Sequence, residues 1–162
     1  MALFKRKPEP VVSARSPSAV AGRAAVGFTG IAASSLERGD FTPYEFQTDT
    51  GTWVRLHDMQ FVGFDYRVQT PTLTLRFVYN DPEWTPPGAR ATPVAVLKFR
   101  DALVHAWEDD DDLLGTPIDV REQVGDLEYR SSTNEFLLET VSTRLHFTAS
   151  SLAVHLEPSF PQ

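Results

Sequence analysis

Between residues 53 and 156 the chain keeps returning to one pattern. Short runs of alternating apolar and polar residues are separated by clusters of Pro, Gly, Asn, Asp, Ser and Thr. A period of two puts every second side chain on one side of an extended backbone, so each run buries one face and wets the other. Residues 72–79 are the clearest case, with Leu73, Leu75, Phe77 and Tyr79 on one side and Thr72, Thr74 and Arg76 on the other. Residues 53–56 open the series after the turn-like Thr48-Asp49-Thr50-Gly51, and residues 59–68 form a hairpin with 72–79 across Thr70-Pro71. Residues 94–107 read as one long strand region, with Val94, Val96 and Phe99 inward and a bulge near Arg100-Asp101. A second pair, 118–129 and 135–147, flanks Ser131-Ser132-Thr133-Asn134, with a short helix as the alternative for 118–124. Residues 152–156 close the set after a tight turn at 148–151.

The expected fold is therefore mainly β: an antiparallel β-sandwich or open barrel of about seven or eight strands. No βαβ pattern is present, which argues against a doubly wound α/β fold. The 162 residues suffice for one domain with a core, and the expected division is a basic, flexible arm over 1–27 and a single acidic β domain over 28–162.

The charge supports that division. Residues 1–27 carry Lys5, Arg6, Lys7, Arg15 and Arg23 against Glu9, a net of +4, so the rest of a chain with overall charge −7 holds −11. An acidic body repels nucleic acid, whose binding depends largely on phosphate neutralisation, and attracts basic partners. The arm is read as a disordered or loosely docked segment, with a tether to anionic lipid or nucleic acid as its rival. Arg23 and Pro17 interrupt the apolar stretch that an export signal needs, and no run reaches the ~20 apolar residues of a membrane span. A cytoplasmic protein is expected. With no cysteine in the chain, disulfides, thiolate metal sites and cysteine nucleophiles are excluded.

Among candidate sites the sharpest is the acidic run Glu108-Asp109-Asp110-Asp111-Asp112. Consecutive acids on a loop usually repel and stay solvated, and the run lacks the Asp-x-Asp-x-Asp-Gly spacing of a calcium loop. As a site it is read as a docking surface for a basic protein, with Trp84 in the Pro-rich loop as a second contact. His57-Asp58 is read as a structural turn or site, because a His–carboxylate pair needs a nucleophile or further ligands and no motif supplies them. His146 and His155, nine residues apart around a short turn, would be cross-strand neighbours in a hairpin, and a zinc site there would require Glu157 as well. No phosphate loop, nucleophile elbow or His-Glu-x-x-His pair occurs, so no catalytic residue, metal or cofactor is expected.

Trp53-x-x-Leu56-His57-Asp58, the hydrophobic hairpin after it and Val96-x-x-Phe99 resemble small bacterial β-rich domains of the immunity-protein type from polymorphic toxin systems. In these a Leu-His-Asp turn opens a β meander. The resemblance spans residues 53–156 and implies toxin binding through an acidic surface. The basic arm is not part of that pattern.

The expectation is thus a non-enzymatic protein-binding module of inhibitor or immunity type that docks a basic partner through an acidic surface. Two alternatives stand beside it: a structural or assembly component whose arm contacts a neighbouring subunit through self-association, and a small-ligand-binding β domain or enzyme.

Overall fold

The computed structural model describes residues 24–39, 41–79, 93–109 and 118–158. The chain is mainly β, with eleven strands among the described residues. A five-stranded sheet has the order β1 (Gly27–Thr29), β11 (Ser151–Pro158), β6 (Pro93–Arg100), β5 (Thr72–Val78), β4 (Gln60–Arg67). A four-stranded sheet has the order β7 (Leu103–Asp109), β10 (Thr143–Thr148), β9 (Glu135–Thr140), β8 (Val124–Arg130). β2 (Glu45–Gln47) and β3 (Trp53–Arg55) form a two-stranded ribbon. Short helices α1 (Ala33–Leu36) and α2 (Ile118–Arg121) complete the elements, with one 3₁₀ turn at Leu56–Asp58.

The count exceeds the seven or eight strands expected because several segments are split. Residues 94–107 are two strands in different sheets: β6 ends at Arg100, the chain turns at Asp101 (φ 49°), and β7 starts at Leu103. What reads as a bulge at Arg100-Asp101 is this corner. Residues 135–147 likewise divide into the β9–β10 hairpin, and 118–129 into α2 and β8. Residues 1–23 of the arm expected over 1–27, the Pro-rich loop with Trp84, and Asp110, Asp111 and Asp112 lie outside the described residues, while Gly27 at the end of that arm already belongs to β1.

Register explains the core. Leu73 faces Phe99, Leu75 faces Leu97, and Phe77 faces Ala95 across β5 and β6, while Leu152 and Val154 of β11 continue the same side. All are buried. Val94 and Val96, expected inward, lie on the opposite side of β6 with Lys98, because Phe99 sets the inward phase as Ala95, Leu97, Phe99. On the second sheet Leu127, Phe136, Leu138, Leu145 and Phe147 turn inward. Phe99 joins the two layers: its ring stands edge-on to Phe136 at 4.9 Å and to Phe147 at 4.8 Å. Such edge-to-face pairs are worth roughly 0.5–1.5 kcal/mol beyond their buried area.

The chain passes between the sheets twice in adjacent corners. At the second, the Ser150 backbone N–H donates to the Arg100 carbonyl at 3.0 Å, and the Ser150 hydroxyl donates to the Asp101 carboxylate. The Ala102 N–H is satisfied by the Pro71 carbonyl at 3.0 Å. At the other end, β4 meets the second sheet twice. Phe61 N–H donates to the Glu122 carbonyl at 2.9 Å beside β8, and Phe64 packs edge-on against Trp107 of β7 at 5.2 Å.

The long edge strands are each interrupted by an unpaired residue: Val62 in β4, His105 in β7 and Gly125 in β8. Bulges at edges discourage pairing with another chain. β1 is three residues long and is followed by Gly30 (φ 78°), whose hydrogen faces the β11 backbone. A Cβ there would lie 2.0 Å from the Val154 carbonyl oxygen, whereas one at Gly51 (φ 88°) would meet nothing within 4 Å.

Phe99→Ala is expected to destabilise the fold by about 3–5 kcal/mol, through lost transfer energy and the cavity left behind. Gly30→Ala should cost on the order of 3 kcal/mol and Gly51→Ala only the ~1–2 kcal/mol of left-handed strain. Urea unfolding of the three variants checks both the size and the order.

Candidate functional site

The strand alternation that builds the core also decides where charge goes. On the outward side of the second sheet, register aligns Glu108, Arg144, Glu139 and Asp126 in one row across the four strands. The next row is Ala106, His146, Leu137 and Glu128, and the third ends in Thr148, Glu135 and Arg130. Five carboxylates thus share a face with two guanidinium groups. Arg144 Nε donates to Glu139 Oε1 at 2.7 Å, and Arg130 Nη2 to Glu128 Oε2 at 3.1 Å. Both pairs are exposed, so each adds little stability. Asp126 has no ion pair among the described residues.

The outward side of the first sheet has the opposite sign. Arg67, Arg76, Lys98 and Arg100 lie there with Asp65 and Glu157. Arg76 bonds Glu157 at 3.2 Å and Arg67 bonds Asp65 at 3.1 Å. The outward side of the second sheet thus carries an excess of carboxylates and that of the first an excess of cations.

The sequence-level candidates fall in different places. Glu108 and Asp109 form the exposed end of β7, and Thr143 Oγ1 donates to Asp109 Oδ1 at 3.2 Å. His57 and Asp58 occupy the 3₁₀ turn, held between buried Leu56 and Met59. The Leu56 N–H donates to the Tyr44 carbonyl at 2.9 Å, and the Met59 N–H to the Leu56 carbonyl at 3.0 Å. Asp58 lies near two phenols, Tyr44 and Tyr79; burial raises both hydroxyls above their ordinary pKa and Asp58 adds to it. For Tyr79 the Arg55 N–H, 3.3 Å from the hydroxyl oxygen, pulls the other way.

His146 and His155 are not cross-strand neighbours. β10 and β11 belong to different sheets, so the two rings point to opposite outer faces. His146 instead lies with His105, ring centroids 5.1 Å apart, and 3.8 Å from Glu135. His155 pairs with Glu157 at 3.0 Å. Among the described residues no group of three His, Asp or Glu side chains is placed to hold a metal ion.

Sequence reasoning missed Asp126, Glu128, Glu135 and Glu139. The signal was present as acids spaced by two in 126–128 and by four in 135–139, but it becomes one surface only when β8 and β9 pair.

A second feature lies at the β8 edge. A hollow of about 500 Å³ is bounded by Ala25, Phe28, Leu36, Arg38, Phe41 and the β8 residues Asp126, Glu128 and Tyr129. Phe28 stands edge-on to Phe41 at 5.1 Å and to Tyr129 at 5.5 Å, forming an aromatic wall. Arg38, on the rim, lies 5.7 Å from the Trp53 ring. Burial pushes the Asp126 carboxyl above its ordinary pKa; the Leu127 N–H opposes this, and the nearby Glu128 and Glu139 reinforce it.

A carboxyl with a raised native pKa favours the fold when protonated and costs stability once ionised. That cost develops as pH rises from the unfolded value through the native one. Asp126→Asn is therefore expected to raise the melting temperature at pH 7, with the gain fading as pH falls through that window; thermal melts at stepped pH check it. No protein-family model, curated protein or solved structure matches the chain, so its function is argued from this geometry.

Proposed function

We propose that this protein is a non-enzymatic binding module that docks a basic protein on the outward side of the four-stranded sheet, in the manner of an inhibitor or immunity protein. The observation that supports it is the register-aligned set of Glu108, Asp126, Glu128, Glu135 and Glu139 on one face. Glu108 also begins the acidic run, which extends the same sign of charge along the chain. A face with a net excess of one sign steers an oppositely charged partner and raises the association rate more than it raises the final affinity. Leu137 and Ala106 lie between the charges and supply apolar contact, while the His105–His146 pair is poised to hydrogen-bond.

The architecture that accompanies this reading is an open barrel rather than a simple sandwich. β4 touches β8 near Phe61 and β7 at Phe64, the two opposite edges of the other sheet. This supports a β4 that crosses the ends of those strands and leaves their outward side free for docking.

The test compares the full chain with a Glu108→Gln/Glu128→Gln/Glu135→Gln/Glu139→Gln variant and with Asp65→Asn/Glu157→Gln on the opposite face. Each is immobilised against lysate of its own cells at low and high salt, and bound proteins are identified by mass spectrometry. The expected result is a basic protein held by the wild type and the opposite-face variant, released by salt, and lost from the four-site variant. Association measured with the recovered protein should slow by on the order of tenfold in that variant. Capture that survives all four substitutions, or no capture at low salt, overturns the reading.

A further inference from the structure

We propose that the hollow bounded by Phe28, Leu36, Phe41 and β8 is the seat of the chain's own basic N-terminal segment, residues 1–23, which binds there in cis. This goes beyond the docking of a partner and does not rest on it.

Three observations carry it. The first is position. Ala25 is part of the hollow's wall, so residue 23 is separated from that wall by a single residue, at about 3.8 Å per Cα step. The chain is fixed at this point, because the buried Asn134 side chain donates from Nδ2 to the Ala24 carbonyl at 2.8 Å. The Tyr129 hydroxyl, on the aromatic wall, also takes a hydrogen bond from the Val26 backbone.

The second is charge. Residues 1–23 hold Lys5, Arg6, Lys7, Arg15 and Arg23 against Glu9. The hollow offers Asp126 and Glu128, and beyond them the whole acidic face of the second sheet. Asp126 has no cationic partner among the described residues, and its acidic neighbours and partial burial disfavour its charge. A guanidinium arriving there relieves both. Arg38, the cation on the rim, is placed against Trp53.

The third is shape. The apolar part of the wall is Phe28, Phe41 and Tyr129, with Leu36 beside them. Ala19-Val20-Ala21-Gly22-Arg23 brings small apolar side chains and then a cation to a wall that holds both rings and carboxylates. A ligand covalently attached this close is held at an effective concentration on the order of millimolar, so modest contacts suffice. The same segment from another copy, or a foreign peptide, must compete against that tether.

The test exploits the absence of cysteine. Ser16→Cys in the full-length, ¹⁵N-labelled chain carries one nitroxide, and backbone amide intensities are compared with the reduced label. At about 10 mM salt, with a Debye length near ~30 Å, amides of Phe41, Thr42, Asp126 and Glu128 are expected to lose more than half their intensity. At about 1 M salt, with a Debye length near ~3 Å, they should recover. Arg15→Gln/Arg23→Gln, and separately Asp126→Asn/Glu128→Gln, should produce the same recovery at low salt. Broadening that is indifferent to salt and to both pairs of substitutions is tether proximity alone and overturns the proposal. Broadening that transfers from a labelled ¹⁴N chain to an unlabelled ¹⁵N chain assigns the hollow to a second copy and also overturns it. No partner protein is present, so failure here leaves the docking reading untouched, and failure of docking leaves this result standing.

Discussion

The contact on which the rest depends is Phe99 against Phe136 and Phe147. One ring from the first sheet stands edge-on against two stacked rings of the second, which are 5.3 Å apart with planes inclined by 11°. Tyr129 stacks on Phe136 at 4.8 Å, and Phe28 and Phe41 continue the series to the surface. Aromatic packing therefore runs from the core to the hollow at the β8 edge. The corners at Asp101 and Ser150 lie beside this cluster and fix which strands face each other. Once Phe99 is placed inward, the phase of β6 is set. That phase, through register, sets the phase of β5 and β11.

Phase has a chemical consequence. Every residue moved from one side of a strand to the other changes which surface it charges. With the apolar positions inward, the first sheet turns four cations outward and the second turns five carboxylates outward. The two faces acquire opposite signs as a by-product of core packing. A molecule built this way carries two outer faces of different electrostatic character. The bulges at Val62, His105 and Gly125 make the edges poor templates for an added strand.

Small polar residues hold the points where the chain changes layer. Asn134 adopts φ 55°, accepts the Ala149 N–H on its carbonyl at 3.3 Å, and ties down Ala24 through its side chain. One buried residue thus links the β8–β9 turn, the second corner and the start of the described chain. Thr48 does similar work in the β2–β3 turn, where its N–H donates to the Thr52 carbonyl at 2.8 Å. The aromatic hollow is as well defined as these links allow, since Ala24, Ala25 and Tyr129 are all positioned through them.

Much of this was legible in the alternation itself. Residues 72–79, the 59–68 hairpin partner, the turn at 48–51 and the mainly β character follow from period and turn chemistry, which are local. The inward phase at Val94 and Val96 was misread because Val94, Val96, Leu97 and Phe99 offer apolar residues to both sides, and only pairing with Leu73, Leu75 and Phe77 chooses between them. The corner at Asp101 looked like a bulge because both devices interrupt a strand with one or two irregular residues; which sheet the chain enters next is not a local property. His146 and His155 looked paired for the same reason, since a short turn joins partners in a hairpin and also joins strands of different sheets. The sequence by itself determined that this chain forms β-strands with one wet side and an excess of acid. Only the tertiary structure decided which strands lie side by side, and therefore which carboxylates share a face, because charge adds up across strands that are distant in sequence and meet only through the burial of their apolar sides.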